Sequence, residues 1–473
     1  MNWPVLASEL TLCALILVVL AVSLRLNEQQ AAQSLWKITL AGLGVVGGVL
    51  WWQQPLIGRA FDSMFILDGF AGYFKWLFAL TLVIVVLMTR AFTSDRHENV
   101  GAFYLLLLSA LLGTFVLASV RDFLLLFIGL ELLTFSLYVM AAYLKSEPRS
   151  IEAGMKYLIM GSVSSGFLVY GIGLLYGVSG STNFEVVRQA LDVGHTPLTA
   201  QAGMLLVLAG LGFKVAAVPF HLWVPDVYEG APTPVAALLS VGSKMAGAIV
   251  LLKLLHTVFL PLQDVWVPVV AVLSALTMCY GNLGAIPQTN IKRLMGYSSI
   301  GHAGYLLMGI STATTGGAQA VGYYLLAYLF SNLAVFFVII LASQALGSDS
   351  LDAYNGLSKR SPMLAAVLFV GLLSLAGVPP LAGFVGKLFV LLATAEVGRF
   401  WLLGVGAVNI AISLYYYMMV VRRMYVLPAA GAPSSIAVDP LSRLALFALT
   451  AGILLVGIVQ SPFLTTITRA ISF

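Results

Sequence analysis

Charge is what this sequence has least of. Only 9% of its 473 residues are Asp, Glu, Lys or Arg, against about 25% in soluble domains, while 60% are hydrophobic. No stretch long enough to fold in water separates the apolar runs, so the length does not resolve into two or three soluble domains. The net charge of +5 is therefore read against a bilayer, where Lys and Arg collect in cytoplasmic loops, and it gives no support to nucleic-acid binding. Cysteine is nearly absent. Cys13 and Cys279 both lie in apolar runs, which argues against a disulfide framework, a CxxC redox pair or a cysteine metal site and leaves them as packing residues. Walker, HExxH and GxSxG sequences and Cys/His clusters are missing too. GLGVVG at 42–47 matches GxGxxG but sits inside an apolar run with no strand before it, so Gly44 and Gly48 are better read as a close helix-packing motif.

What is present is a series of apolar runs. A bilayer core needs roughly 20 apolar residues per helix, and breaks at polar or Pro/Gly-rich points leave about fourteen runs, near 4–24, 36–52, 70–89, 102–119, 122–144, 153–177, 202–225, 234–256, 265–285, 294–311, 317–345, 362–394, 400–426 and 441–467. The expected fold is an all-α polytopic membrane protein of about 14 transmembrane helices. No basic residue precedes the first run, which is expected to be a retained helix rather than a cleaved signal. The longest connections, 178–201 and 426–440, leave no room for a nucleotide domain. With the N-terminus outside, one set of loops holds Arg25, Lys37, Arg90, Arg96, Lys145, Arg149, Lys292, Arg293, Lys359, Arg360, Arg422, Arg423 and Arg443. The other set holds about half as many, which places both termini on the non-cytoplasmic side.

Ionisable groups inside spans cost about 2.5–3.5 kcal/mol each on insertion scales and are functional candidates. Glu131, Lys214, Lys244 and Lys387 lie deepest. Burial disfavours a lysine's charge and a nearby carboxylate favours it, so a small rearrangement lets it take or release a proton. The alternative for Glu131 and Lys214 is a fixed pair that only pins two helices. Lys156, a few residues into its run, is divided between a secondary relay and snorkelling to the interface. Lys253 and His256, close to a helix end, are expected at the interface. His221 and His302 are divided between relay and simple hydrogen bonding. Ser298, Ser299 and the tyrosines are too common in spans to carry an argument.

Proline sharpens the picture. Pro219 follows Lys214 in LGFKVAAVPFHLWVPDVYEGAPTP, and Pro379 and Pro380 precede Lys387 in LAGVPPLAGFVGKLFV. A proline in a span frees backbone groups that neighbours or water must satisfy, so a broken helix at membrane depth usually lines a cavity. Five spans separate the two breaks. The halves near 102–256 and 265–426 then run in opposite directions, as in transporters built from inverted repeats.

PFHLWVPDVYEGAPTPV at 219–235, SKMAG at 243–247, NIKRLMGYSSIGHAGYLLMG at 290–309 and LAGVPPLAGFVGK at 375–387 resemble the antiporter-like membrane subunits of respiratory complex I and their cation-antiporter relatives. DVYEGAPTPV is similar to the N type, related to mitochondrial NADH dehydrogenase subunit 2. The resemblance covers nearly the whole chain. It implies proton translocation and two inverted five-helix repeats with broken seventh and twelfth helices: residues 1–100 as a three-helix leading segment, 101–260 and 261–427 as the repeats, and 428–473 as a last helix. It implies Glu131 and Lys214 as an interacting pair, Lys244 as central relay, Lys387 as far-side donor or acceptor, and Lys156 and His302 as secondary positions. NADH, flavin (FMN), iron–sulfur clusters and quinone are expected on partner subunits, with no cofactor or metal on this chain. Other membrane subunits, antiporter-like neighbours among them, the lipid bilayer and protons are the expected partners. Mitochondrial members are shorter at the N-terminus, so the leading helices point to a bacterial inner membrane or a plastid-type membrane. A subunit of a multisubunit Na+/H+ antiporter, and a non-conducting scaffold, remain as alternatives.

The loop asymmetry makes the first prediction. Cysteines introduced at 348–358 should react with an impermeant thiol reagent only from the cytoplasmic side, and labelling from the opposite side would reverse the topology.

Overall fold

The computed structural model describes residues 2–93, 99–192, 197–428 and 435–471; Arg96, one of the loop residues counted above, lies outside them. In hydrocarbon a backbone N–H or C=O has no water to bond, so an apolar chain satisfies these groups within helices. Twelve helices among the described residues are long and apolar enough to cross a membrane, and the chain is an all-α membrane protein. Two further runs take other forms. Ile291–Ser311 is one helix rich in glycine and serine, and 362–394 divides into Pro362–Ala376 and Ala382–Glu396. The run 202–225 is interrupted as well. Its helix Leu198–Val215 stops short of Pro219, and the chain resumes as Trp223–Gly230 and Thr233–Leu238. Both breaks therefore fall at the prolines.

The fold consists of two compact units. The first comprises the described parts of Met1–Val215, Gly242–Val269 and Thr468–Phe473. Here Ala7–Ser23, Glu28–Gln53, Gly69–Thr93 and Val100–Ser119 pack on one another, Phe123–Ala141 lies on Val100–Ser119, and Pro148–Ser179 lies along Leu198–Val215. Helix starts follow local chemistry. Asn27 and Gln30 form a capping box, and the Asp122 carboxylate accepts from the N–H groups of Leu124 and Leu125. Among the described residues nothing lies within 4 Å of a Cβ placed at Gly44 or Gly48, so the expected packing motif has no partner there. Close approach occurs instead at Gly171 and Gly203, where an added Cβ on either would stand 2.7–3.0 Å from the other's carbonyl oxygen. A short hairpin, Gly58–Ala60 paired antiparallel with Phe65–Leu67, joins the second and third spans; the apolar pattern gave no sign of it.

The second unit comprises the described parts of Ala216–Val241 and Val270–Ile467. Thr315–Leu346 is its axis, contacting Ile291–Ser311, Pro362–Ala376, Ala382–Glu396 and Pro440–Ile458. Gly347, at φ +67°, ends this helix in the left-handed conformation that glycine adopts without strain.

One buried pair in the first unit was absent from the charged positions singled out by sequence. Lys75 Nζ lies 2.6 Å from Glu9 Oε1, with the lysine fully buried. Ser8 donates to the same carboxylate at 3.0 Å, and the Phe65 ring faces the ammonium at 5.0 Å. Removing one partner of a buried pair leaves an uncompensated charge at a cost of about 3–5 kcal/mol. Glu9→Gln should thus sharply lower the thermal stability of the assembled protein, and Glu9→Gln with Lys75→Met should recover most of the loss. Additive losses in that double-mutant cycle would show that the pair is not coupled.

Candidate functional site

The candidate residues of the first unit gather at the end of Leu198–Val215. Lys214 is its penultimate residue and is 3% exposed, beside carbonyls whose partial negative charge favours a cation. The carbonyl of Val215 would ordinarily bond to the N–H four residues on. That residue is Pro219, which has none. The ring of Tyr157 faces the Lys214 ammonium at 5.8 Å. Glu131, midway along Phe123–Ala141, accepts a 2.5 Å hydrogen bond from Ser165. Ser165 also lines a small cavity with Thr134, Tyr138, Ser164 and Lys214, large enough for about one water molecule. Among the described residues Glu131 and Lys214 form no direct ion pair; Ser165, which holds the carboxylate, lines the same cavity as Lys214.

Lys244, 2% exposed, opens the fully buried helix Lys244–Lys253 directly after a π-helical turn at Leu239–Ser243. That helix packs on Leu198–Val215. Gly247, one turn beyond Lys244, makes the approach possible: a Cβ there would lie 3.0 Å from Lys214 Cβ and from Val215 Cγ1. Lys253 and His256, expected at the interface, are buried instead. Lys253 donates to the carbonyls of Ala118 (2.7 Å) and Val120 (3.3 Å), closing the end of Val100–Ser119. Lys156 pairs with Glu152 one turn away at 2.7 Å, and both side chains are exposed.

In the second unit Lys387 stands in Ala382–Glu396, 2% exposed. Its ammonium donates to the carbonyl of Ala376 at 2.9 Å. That carbonyl, at the end of Pro362–Ala376, would ordinarily bond to the N–H of residue 380, and Pro380 has none. The lysine takes the place of the missing donor. Gly377, at φ +90°, leaves space for it, since a Cβ there would meet Lys387 Cδ at 2.9 Å. The Tyr305 ring lies 5.0 Å from the same ammonium. Near the other break, Val218 N–H donates to Thr277 at 3.0 Å, and His221 is buried edge-on against Tyr280.

His302 is bonded on both sides, through Nδ1 to the Tyr324 hydroxyl at 2.6 Å and through Nε2 to the Tyr417 hydroxyl at 3.2 Å. Tyr417 continues to Ser298 at 2.5 Å. A second run of hydroxyls joins Tyr228 to Ser299 (3.2 Å), Ser299 to Tyr328 (3.3 Å) and Tyr328 to Ser240 (2.9 Å), where Asn332 also donates. Sequence reasoning set these serines and tyrosines aside. Their abundance in spans hid them, and the one available signal was their spacing in GYSSIGHAGY around His302. The acidic residues of DVYEG have a different use: Asp226 and Glu229 bind the Arg293 guanidinium at 2.6 and 3.1 Å, fixing Trp223–Gly230 to the start of Ile291–Ser311. No group of three His, Cys, Asp or Glu side chains suited to hold a metal occurs among the described residues.

The geometry defines a multi-span helical membrane protein in which buried lysines stand at interrupted helices. The family described as NADH:quinone oxidoreductase/Mrp antiporter, TM, matches residues 120–413. NADH-quinone oxidoreductase subunit N of Desulforamulus reducens is 41% identical over 425 residues, covering 90% of this chain and 89% of that protein. A chain of respiratory complex I from Thermus thermophilus, solved with bound aureothin, superposes with a TM-score of 0.83 at 31% identity, covering 97% of this chain and 98% of that one. A chain of the Mrp complex from Dietzia shares the fold, with a TM-score of 0.85 at 20% identity over 99% and 97% of the two chains. The chain belongs to the NADH:quinone oxidoreductase/Mrp antiporter family of membrane subunits.

The Gly377–Lys387 contact can be tested against an internal control. Gly377→Ala and Gly347→Ala each force a left-handed backbone on a non-glycine residue, at about 1–2 kcal/mol, but Gly347 has open space beside it. Gly377→Ala should cost about 1.5–3 kcal/mol more, the worth of a charged hydrogen bond, and the excess should disappear in a Lys387→Met background. Equal melting shifts for the two alanine variants would exclude the contact.

Proposed function

We propose that this chain is the N-type antiporter-like subunit of a proton-translocating NADH:quinone oxidoreductase and that it conducts protons through its buried lysines. Support comes first from the position of Lys214, at the helix end just before the break at Pro219, and of Lys387, whose ammonium reaches the carbonyl left open by Pro380. A buried lysine exchanges protons only where its charge has a partner or water within reach. In this reading Glu131 modulates Lys214, Lys244 relays, and Lys387 is the donor or acceptor at the far side, with His302 and its tyrosines as a secondary relay. His221 and Lys156 are secondary positions. The bilayer and protons are its immediate surroundings, both termini face the non-cytoplasmic side, and the membrane is a bacterial inner membrane or of plastid type.

Energy must come from elsewhere. Moving a proton against 150–200 mV costs about 3.5–4.6 kcal/mol at about 2.3 kcal/mol per 100 mV. NADH, flavin, iron–sulfur and quinone chemistry belongs to neighbouring subunits in this proposal. The relative described above, 41% identical, is named as an oxidoreductase subunit, whereas the Mrp likeness rests on 20% identity and speaks for the fold alone. Transport measured with and without sodium separates the two readings.

Replacing Pro219 by alanine restores a backbone hydrogen bond and should stabilise the helix while slowing proton transfer per assembled complex. Lys214→Arg should also slow it, because guanidinium keeps its proton. Glu131→Gln should reduce normalised pumping and Glu131→Asp should retain part of it. Wild-type pumping per assembled complex in all of these variants would reduce the site to structural charges and favour a scaffold.

A further inference from the structure

Basic residues are scarce at the end of the first unit that holds the hairpin, yet three arginines meet there around one cavity. Arg59 comes from strand Gly58–Ala60, Arg121 from the link between Val100–Ser119 and Phe123–Ala141, and Arg188 from the amphipathic helix Phe184–Leu191. With Ser63, Asn183 and Thr257 they line a space of about 120 Å³. Glu185 is the one acidic side chain in the lining, and it accepts from Gln189 at 3.3 Å. No ion pair to any of the three guanidinium groups occurs among the described residues, so the cavity carries an uncompensated positive charge.

The walls are built and held. Arg121 N–H donates to the carbonyl of Met64 at 2.8 Å, and Phe184 N–H donates to the carbonyl of Arg121 at 3.0 Å. Asp122 bridges to Asn183 in antiparallel register. The hairpin tip adds Phe61, Asp62 and Ser63 in succession at φ 51°, 49° and 70°. Three consecutive non-glycine residues in the left-handed region are costly, and such strain persists where the surroundings enforce it, often at ligand clamps. Thr257, in the lining, donates to the carbonyl of Lys253.

The level of the cavity identifies its ligand. Trp51 and Trp52, at the same end of Glu28–Gln53, are 68% and 56% exposed, and tryptophan collects at the depth of lipid headgroups. Ile57, Phe61 and Val186, beside the lining residues in sequence, are exposed as well, so apolar surface adjoins the charged pocket. Arginine recognises phosphate through paired N–H donors. We infer that Arg59, Arg121 and Arg188 form a binding site for the phosphate of an anionic phospholipid whose acyl chains lie along the apolar rim. The inference does not depend on proton conduction or on which side of the membrane this end faces.

The test uses the complete complex that contains this chain, reconstituted in phosphatidylcholine nanodiscs and titrated with phosphatidylglycerol, with retained lipids counted by native mass spectrometry. Wild type should retain phosphatidylglycerol in preference to phosphatidylcholine. Arg188→Gln, on a surface helix, should lower that preference about fivefold, the equivalent of about 1 kcal/mol for one arginine near an anionic headgroup, and Arg188→Lys should preserve most of it. Arg59→Gln combined with Arg188→Gln should lower it further without touching the Arg121 link. Equal retention by wild type and Arg188→Gln would overturn the site. Displacement of the lipid by millimolar inorganic phosphate would overturn the lipid as ligand in favour of a free anion, and photo-crosslinking from a benzophenone side chain introduced at position 188 to a neighbouring subunit rather than to lipid would overturn it in favour of a protein partner.

Discussion

A carbonyl in hydrocarbon must find a donor, and two prolines in this chain take donors away. At Ala376 the vacancy is filled by Lys387 at 2.9 Å; at Val215 the adjacent residue is Lys214, buried at the same helix end. Only at Pro380 does the lysine supply the missing donor; the Lys214 ammonium has no hydrogen-bond partner among the described residues. A broken helix is unstable in lipid unless something polar comes to it, and a buried lysine is unstable unless something negative comes to it. Each makes the other tolerable. The interruption and the charge are in this sense a single feature, and the polar groups around them follow: Ser165 holding Glu131, tyrosine faces over both ammonium groups, and glycines at 247 and 377 that admit the lysines.

Other cations are held by close partners. Lys253 donates hydrogen bonds to the carbonyls of Ala118 and Val120, at a helix end, and Lys75 meets Glu9 at 2.6 Å. Arg293 is held by two carboxylates. These charges are satisfied by short, specific contacts. The Lys214 ammonium has no hydrogen-bond partner among the described residues and faces the Tyr157 ring. Depth in the membrane therefore does not by itself distinguish these groups; Lys387 and Lys253 are both buried and each bonds a carbonyl at a helix end.

Hydroxyl groups carry the second unit's polar interior. The Tyr324–His302–Tyr417–Ser298 run and the Tyr228–Ser299–Tyr328–Ser240 run consist of groups that both donate and accept. A histidine bonded to a hydroxyl on each nitrogen can change tautomer while its partners rotate, with no net charge created. Such an arrangement suits proton relay and also satisfies a polar interior.

Sequence by itself determined the class and the breaks. Apolar runs of about 20 residues admit only helices in a bilayer, and a proline lacks its N–H in any fold, so the interruptions near Pro219 and Pro379–Pro380 and the burial of Lys214, Lys244 and Lys387 were legible from composition and position. Tertiary structure decided the partners. One span lies between Glu9 and Lys75, three between Ala118 and Lys253, and two between Asp226 and Arg293; no local periodicity encodes which helix faces which. The serine and tyrosine network was hidden for a related reason, since a hydroxyl in a span is cheap to satisfy on its own helix, and only packing shows which ones turn to each other. The hairpin and its arginine cavity were hidden for a third: they arise from three short links that become one surface only when four helices have packed.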